Sequence, residues 1–138
     1  MKFNEEAEQM VLGSCLLSRE AKEKVINKLK REHFFLQHHK IIFDAIVRLS
    51  EKKENVNVLT ITTYLDGTEK LNEIGNIEYL YLISSVISSG IHHPLNLDNF
   101  IGVVIANYFL SKTAEKKNRE LVENRFNNPK LTNNKKKK

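Results

Sequence analysis

The stretch that decides the fold is VNVLTITTYLDG, Val56 to Gly67. Its valines and threonines favour a strand on propensity alone. A strand needs a partner, and no second segment of the chain has strand-like character, so a lone strand here would be unstable. Read as a short helix capped by Asn57 and ended by Gly67, the same stretch predicts a protein built from helices.

Outward from it the periodicities agree. Asn4 is placed to cap a first helix whose acidic first turn suits the helix dipole, and Ala7, Met10, Val11 and Cys15 recur at helical spacing. A short, highly charged helix begins at Arg19 and runs through REAKEKVINKLKREHFF, with Val25, Ile26 and Leu29 inward and Phe34 and Phe35 anchoring its turn. In QHHKIIFDAIVRLSEKK (37–53), Ile42, Ala45, Ile46 and Leu49 mark one face, widened by Ile41 and Phe43. A helix this apolar belongs near the middle of the core. Gly75 and Asn76 then mark a loop, since both types tolerate positive φ.

A helix over about 77–88 follows, then the turn SGIHHPLN (89–96) and a long helix from Leu97 behind the cap Asn96. Leu97, Phe100, Ile101, Val104, Ile105 and Tyr108 trace one face of that helix. Val103, Ala106 and Leu110 lie off the stripe, so the first half is apolar around much of its circumference and calls for cover on more than one side. In a domain this small the second cover is expected to be another chain.

The chain has 138 residues, 41% hydrophobic and 28% charged, which suits one domain with one core. Five Gly and two Pro are too few for the many turns of a sandwich or barrel. From Lys112 onward eight Lys and two Arg face three Glu, a local balance of +7, so the total of +5 comes from the C-terminal segment. A cationic tail can hold phosphates nonspecifically, although charge blocks are more often solvated ends. The single cysteine, Cys15, reads as a small core residue. The acidic start MKFNEEAEQ is unlike a cleavable signal, and no stretch approaches the roughly 20 apolar residues of a membrane span. The expected location is cytoplasmic.

Catalytic chemistry finds little purchase. The glycines at 13, 67, 75, 90 and 102 nowhere give the G-x-x-x-x-G-K-[ST] spacing that wraps a phosphate. His38 and His39 are adjacent, so on a helix they diverge by about 100°, and His92 and His93 lie in another loop. No Cys pair or H-E-x-x-H supports a metal site. Carboxylates are scattered over polar helix faces, where solvation or i,i+4 pairing is the ordinary role. Tyr79 and Tyr81 could stack on bases, yet Glu73 and Glu78 are their charged neighbours and no basic residue lies between Lys70 and Lys112. They suit a core or a protein interface better. No cofactor, metal or catalytic residue is expected.

Three segments in register resemble the N-terminal domain of the bacterial DnaB-type replicative DNA helicases. AEQMVLGSCLL (7–17) is similar to that family's A-E-x-x-x-L-G opening helix. HFFLQHHKIIFDAIVRL (33–49) is similar to its F-Y/F…H-x-x-I-F segment, with His39 and Phe43 at the matching positions. LNEIGNIEYLYLI (71–83) resembles its L-x-x-I-G-G-x-x-Y-L motif, with Asn76 in place of the second glycine. The family's hairpin Arg pair is replaced by Ser111 and Lys112. The resemblance spans about Glu6 to Thr113.

The resemblance implies an all-α domain over residues 1–125: a small helical bundle (about 4–75), then a protruding helical hairpin (about 76–125), with a basic tail at 126–138. It implies a non-catalytic protein–protein interaction and oligomerisation domain in DNA replication, a homodimer or higher oligomer through its hairpin. Primase, the replicative helicase or its loader are the partners implied. Leu97, Phe100, Ile101, Val104, Ile105 and Tyr108 are the expected self-association residues, and Glu6 and Tyr79 the partner-facing ones. The ATPase domain that follows in the family has no counterpart in these 138 residues. Either a helicase fragment or a stand-alone modulator fits, and the start and end of the chain favour the latter. The alternative is a small DNA-binding protein using Lys116, Lys117, Arg119 and the run Lys135, Lys136, Lys137 and Lys138.

Overall fold

The computed structural model describes residues 5–88 and 97–127. Among them every element is helical: α1 (Glu5–Leu17), α2 (Arg19–Lys28), α3 (Gln37–Glu51), α4 (Val58–Gly67), α5 (Asn76–Ser88) and α6 (Leu97–Asn127), with 3-10 turns at Arg31–His33 and Asn72–Ile74. The expected caps Asn4 and Asn96, the turn 89–96 and the tail beyond Asn127 lie outside the described residues.

The deciding stretch is α4. The Asn57 side chain accepts the N–H of Thr60 at 2.9 Å, and Thr60 Oγ1 accepts the N–H of Asn57 at 2.9 Å. This reciprocal box satisfies two donors that a helix start otherwise leaves orphaned. One turn apart, Ile61 and Leu65 are buried while Leu59 and Thr63 face solvent. Burying that pair outweighs the weak helix propensity of a Val- and Thr-rich segment.

The second helix stops sooner than its periodicity suggests. Ser18 caps α2, accepting the N–H of Ala21 at 3.1 Å, but Leu29 already leaves the helix in an extended conformation. Residues 30–33 are polar all round and offer no apolar face to bury. Extending at Leu29 and turning through Arg31–His33 lets both Leu29 and Phe34 enter the core. The Phe35 side chain does not anchor the turn by burial; it is 55% exposed.

α1 is the hub, packing against α2, α3 and α5. Ala7, Val11, Leu12 and Cys15 of α1 share one core with Ile42, Ala45, Ile46 and Leu49 of α3 and Leu80 and Ile83 of α5. Such residues are the costly ones to truncate, at about 2–5 kcal/mol for Leu or Ile to Ala.

The entry to α5 is a left-handed pair, Gly75 (φ 95°) and Asn76 (φ 64°). Their N–H groups bond back to the Asn72 carbonyl at 3.2 Å and the Leu71 carbonyl at 3.0 Å.

Within α6 the chain divides into two compact units, one ending at Tyr108 and the next beginning at Phe109. In the first, Leu97, Ile101 and Val104 join the core. Asp98 takes ion pairs from Lys24 at 3.3 Å and Lys28 at 3.7 Å, and the Tyr108 hydroxyl donates to Glu32 at 3.1 Å. In the second unit the helix continues to Asn127 with Leu110, Leu121 and Val122 exposed. No helix among the described residues is long and apolar enough to cross a membrane.

Candidate functional site

Helical spacing places Glu8 on the same face of α1 as Val11, Leu12 and Cys15, and His39 on the same face of α3 as Ile42, Phe43 and Ile46. Both polar side chains are thereby carried inside, Glu8 to 4% exposure and His39 to none. Tyr79, one turn into α5, lies beside Gly75, where an added Cβ would stand 3.2 Å from the tyrosine Cβ. The three residues meet. His39 Nδ1 is 2.6 Å from Glu8 Oε1, and His39 Nε2 is 2.6 Å from the Tyr79 hydroxyl.

The remaining bonds set the direction of the line. Gln9 Nε2 donates to the Tyr79 oxygen at 3.1 Å, so the tyrosine hydrogen is free to go to His39 Nε2. In the tautomer with its hydrogen on Nδ1, His39 accepts from Tyr79 and donates to Glu8. The other Glu8 oxygen accepts the N–H of Phe35 at 2.7 Å, tying down the turn before α3. A buried polar network satisfied at every member orders its surroundings, whereas a half-satisfied one destabilises them.

His38 completes the cluster, its ring 4.5 Å from His39 and 5.0 Å from Tyr79. Burial, and then the neighbouring His39, hold the His38 imidazole below its ordinary range, against the opposing pull of Glu5 and Glu8. Burial pushes the Tyr79 phenol up, with Gln9 lowering it and Glu5 and Glu8 raising it further. A phenol made harder to ionise is not an activated nucleophile. The line joins α1, α3 and α5.

The residues expected to face partners are distributed differently. Tyr79 commits its hydroxyl to the core network, while Glu6 stays on the surface. Of the expected self-association stripe, Leu97, Ile101 and Val104 are buried by the chain's own bundle, and Phe100, Ile105 and Tyr108 are half-buried. Off the stripe, Val103 is half-buried and Ala106 exposed. Among the described side chains of α5, Tyr81 and Leu82 are the exposed large apolar ones, 58% and 50%.

Lys116, Lys117 and Arg119 are exposed and interleaved with Glu115, Glu120 and Glu123; Lys135 to Lys138 lie outside the described residues. Among the described residues no three His, Cys, Asp or Glu side chains gather as a metal site requires. Buried Glu8 departs from the expectation that the carboxylates occupy polar faces. Its one signal in the sequence was its place in the A-E-x-x-x-L-G resemblance.

Comparison with known proteins falls on the same segments. Residues 1–106 match the family model described as the DnaB-like helicase N-terminal domain. The chain is 35% identical over 81 residues to the replicative DNA helicase DnaB of Leifsonia xyli, covering 59% of this chain and 18% of that protein. With the DnaB of Rickettsia conorii it is 30% identical over 124 residues, 90% of this chain and 24% of that protein. The chain thus spans less than a quarter of the length of either relative.

In three dimensions it is similar to the N-terminal domain of DnaB helicase from Mycobacterium tuberculosis. The TM-score is 0.77 at 28% identity, over 85% of this chain and 82% of that one. A DnaB-like replicative helicase whose structure was described with its interactions with primase matches at a TM-score of 0.65 and 27% identity, over 91% of this chain and 28% of that one.

Proposed function

The chain belongs to the DnaB-like helicase N-terminal domain family, and from that premise we propose that it is a non-catalytic protein–protein interaction and oligomerisation domain acting in cytoplasmic DNA replication. Its partners are primase, the replicative helicase or the helicase loader, and it self-associates as a dimer or higher oligomer. One observation supports the reading above the others. The three segments that carry the family resemblance converge on one hydrogen-bonded point, Glu8–His39–Tyr79, in a chain of matching fold.

With Leu97, Ile101 and Val104 drawn into the chain's own core, the exposed Tyr81 and Leu82 of α5 and the surface residue Glu6 become the preferred partner contacts. Self-association would draw on Ala106 in the first unit and on Leu110, Leu121 and Val122 in the second. Pull-down of purified primase, helicase and loader by the tagged chain tests the partner reading; retention of none of the three overturns it. Sedimentation of the chain alone tests self-association, and a monomer at high micromolar concentration overturns that part. A DNA-binding role through the basic segment predicts tail-dependent retention on DNA with a steep salt dependence.

A further inference from the structure

The apolar surface of α3 is wider than its core stripe. Beside Ile42, Ala45, Ile46 and Leu49, the residues Phe43 and Val47 sit one turn apart on an adjoining face. They line a groove of about 490 Å³ with Ile26 and Leu29 of α2 and Tyr64 of α4. Leu29 and Phe43 are buried at its floor, while Ile26, Val47 and Tyr64 are half-buried and keep part of their surface open. A smaller hollow of about 80 Å³ between α3 and α4 shares Asp44 and Tyr64 with the groove, so the two adjoin. An open, elongated depression with an apolar floor suits a length of polypeptide better than a compact ligand, which needs enclosure.

Its rim is cationic in a part of the chain that is not. Of the 22 basic and 17 acidic side chains, ten and three lie at or beyond Lys112, leaving twelve and fourteen before it. Five of those twelve cations, Lys30, Arg31, Arg48, Lys52 and Lys70, border the two hollows, Lys52 through its seat 5.9 Å over the Tyr64 ring. Only two of the fourteen carboxylates, Asp44 and Glu51, are among the lining residues. Asp44 is taken by Arg31 at 2.7 Å. Glu51 lies 3.7 Å from Arg48 on side chains more than half exposed, a contact worth little. Lys30, Lys52 and Lys70 enter none of the ion pairs among the described residues. Charge on this rim is therefore unbalanced, and its sign is opposite to that of the surrounding chain.

We propose that this groove docks an acidic amphipathic segment of a partner protein. The segment's large apolar side chains cover Ile26, Val47 and Tyr64, and its carboxylates meet Lys30, Arg48 and Lys52. The apolar floor supplies the desolvated centre that such a contact needs, and the cations select the sign of the partner and speed its encounter. A nucleic-acid backbone would use the cations but leave the floor uncovered, with Asp44 and Glu51 opposing it. No residue of α5 or α6 lines the groove. It is therefore a face additional to Glu6, Tyr81 and Leu82, and it stands or falls apart from the primase, helicase and loader reading.

The test is selection of displayed random peptides of about twelve residues on the immobilised full chain, followed by amide NMR titration with the enriched peptide. Enriched peptides should carry net negative charge and at least two large apolar side chains. Their saturable shifts should fall at Ile26, Leu29, Val47 and Arg48. Arg48→Glu and Lys30→Glu, both at exposed positions that spare the fold, should each weaken binding by about tenfold or more, and added salt should weaken it further. No enrichment, enrichment of basic or uncharged peptides, shifts that map to Tyr81 and Leu82, or affinity unchanged in both folded variants would overturn the proposal. Saturation of the same amides by a single-stranded oligonucleotide would assign the groove to nucleic acid instead. Shifts there that depend only on protein concentration would assign it to a second copy, and either result also overturns the proposal.

Discussion

The Tyr79 hydroxyl sits 2.6 Å from His39 Nε2, closing a line that begins 2.6 Å away on the other side of the ring at Glu8. Three helices far apart in sequence thus share one chain of donors and acceptors. Tyr79→Phe removes the donor to His39 and the acceptor for Gln9 while keeping the ring. It should cost about 1–3 kcal/mol in urea unfolding, the usual penalty for stranding a buried polar group. Glu8→Gln and Tyr79→Phe share His39, so their effects should be non-additive in a double-mutant cycle. Strict additivity would mean the line does not act as a unit.

Two glycines should respond oppositely to alanine. At Gly75 the backbone is left-handed and a new Cβ would press on Tyr79 at 3.2 Å. Gly75→Ala should therefore destabilise by more than about 1 kcal/mol. At Gly67 a Cβ meets nothing within 4 Å and the backbone is unstrained, so Gly67→Ala should be neutral or stabilising. Thermal melts of the two variants separate the cases.

Acid should loosen the fold before it titrates the carboxylates. His38 is held below its unfolded value of 6.5, so the unfolded chain binds that proton more readily than the native one. The contribution is intact above the unfolded value and is lost as pH falls from there toward the depressed native value. Urea midpoints from about pH 7.5 to about pH 5.5 should decline, and His38→Gln should flatten the decline. Tyr79 has the opposite linkage: its native pKa is raised, so stability holds below the unfolded value of 10.0 and is lost as pH climbs through the native one.

Cys15 is fully enclosed, and burial pushes its thiol up to about 12, with Lys22 pulling weakly the other way. The reactive thiolate is then scarce at neutral pH. Alkylation should be slow in native buffer and fast in denaturant, at a native rate that tracks opening of the α1 core. Rapid native labelling would contradict the burial.

Local sequence determined most of the helices. The capping pattern of Asn57 and Thr60, the apolar stripe of α3 and the Gly75-Asn76 break act within a few residues of themselves, so their signals are present in the linear text. The early end of α2 was less legible because its reason is non-local: Leu29 and Phe34 both reach the core only if the helix stops between them. Tertiary structure alone decided the rest. A glutamate in an acidic first turn looks solvated until α3 and the Phe35 amide supply its partners. Three positions of the α6 stripe, Leu97, Ile101 and Val104, look available to a second chain until the chain's own core takes them in. Periodicity specifies which side chains share a face, but what that face meets depends on residues dozens of positions away, and only the packed chain brings them together.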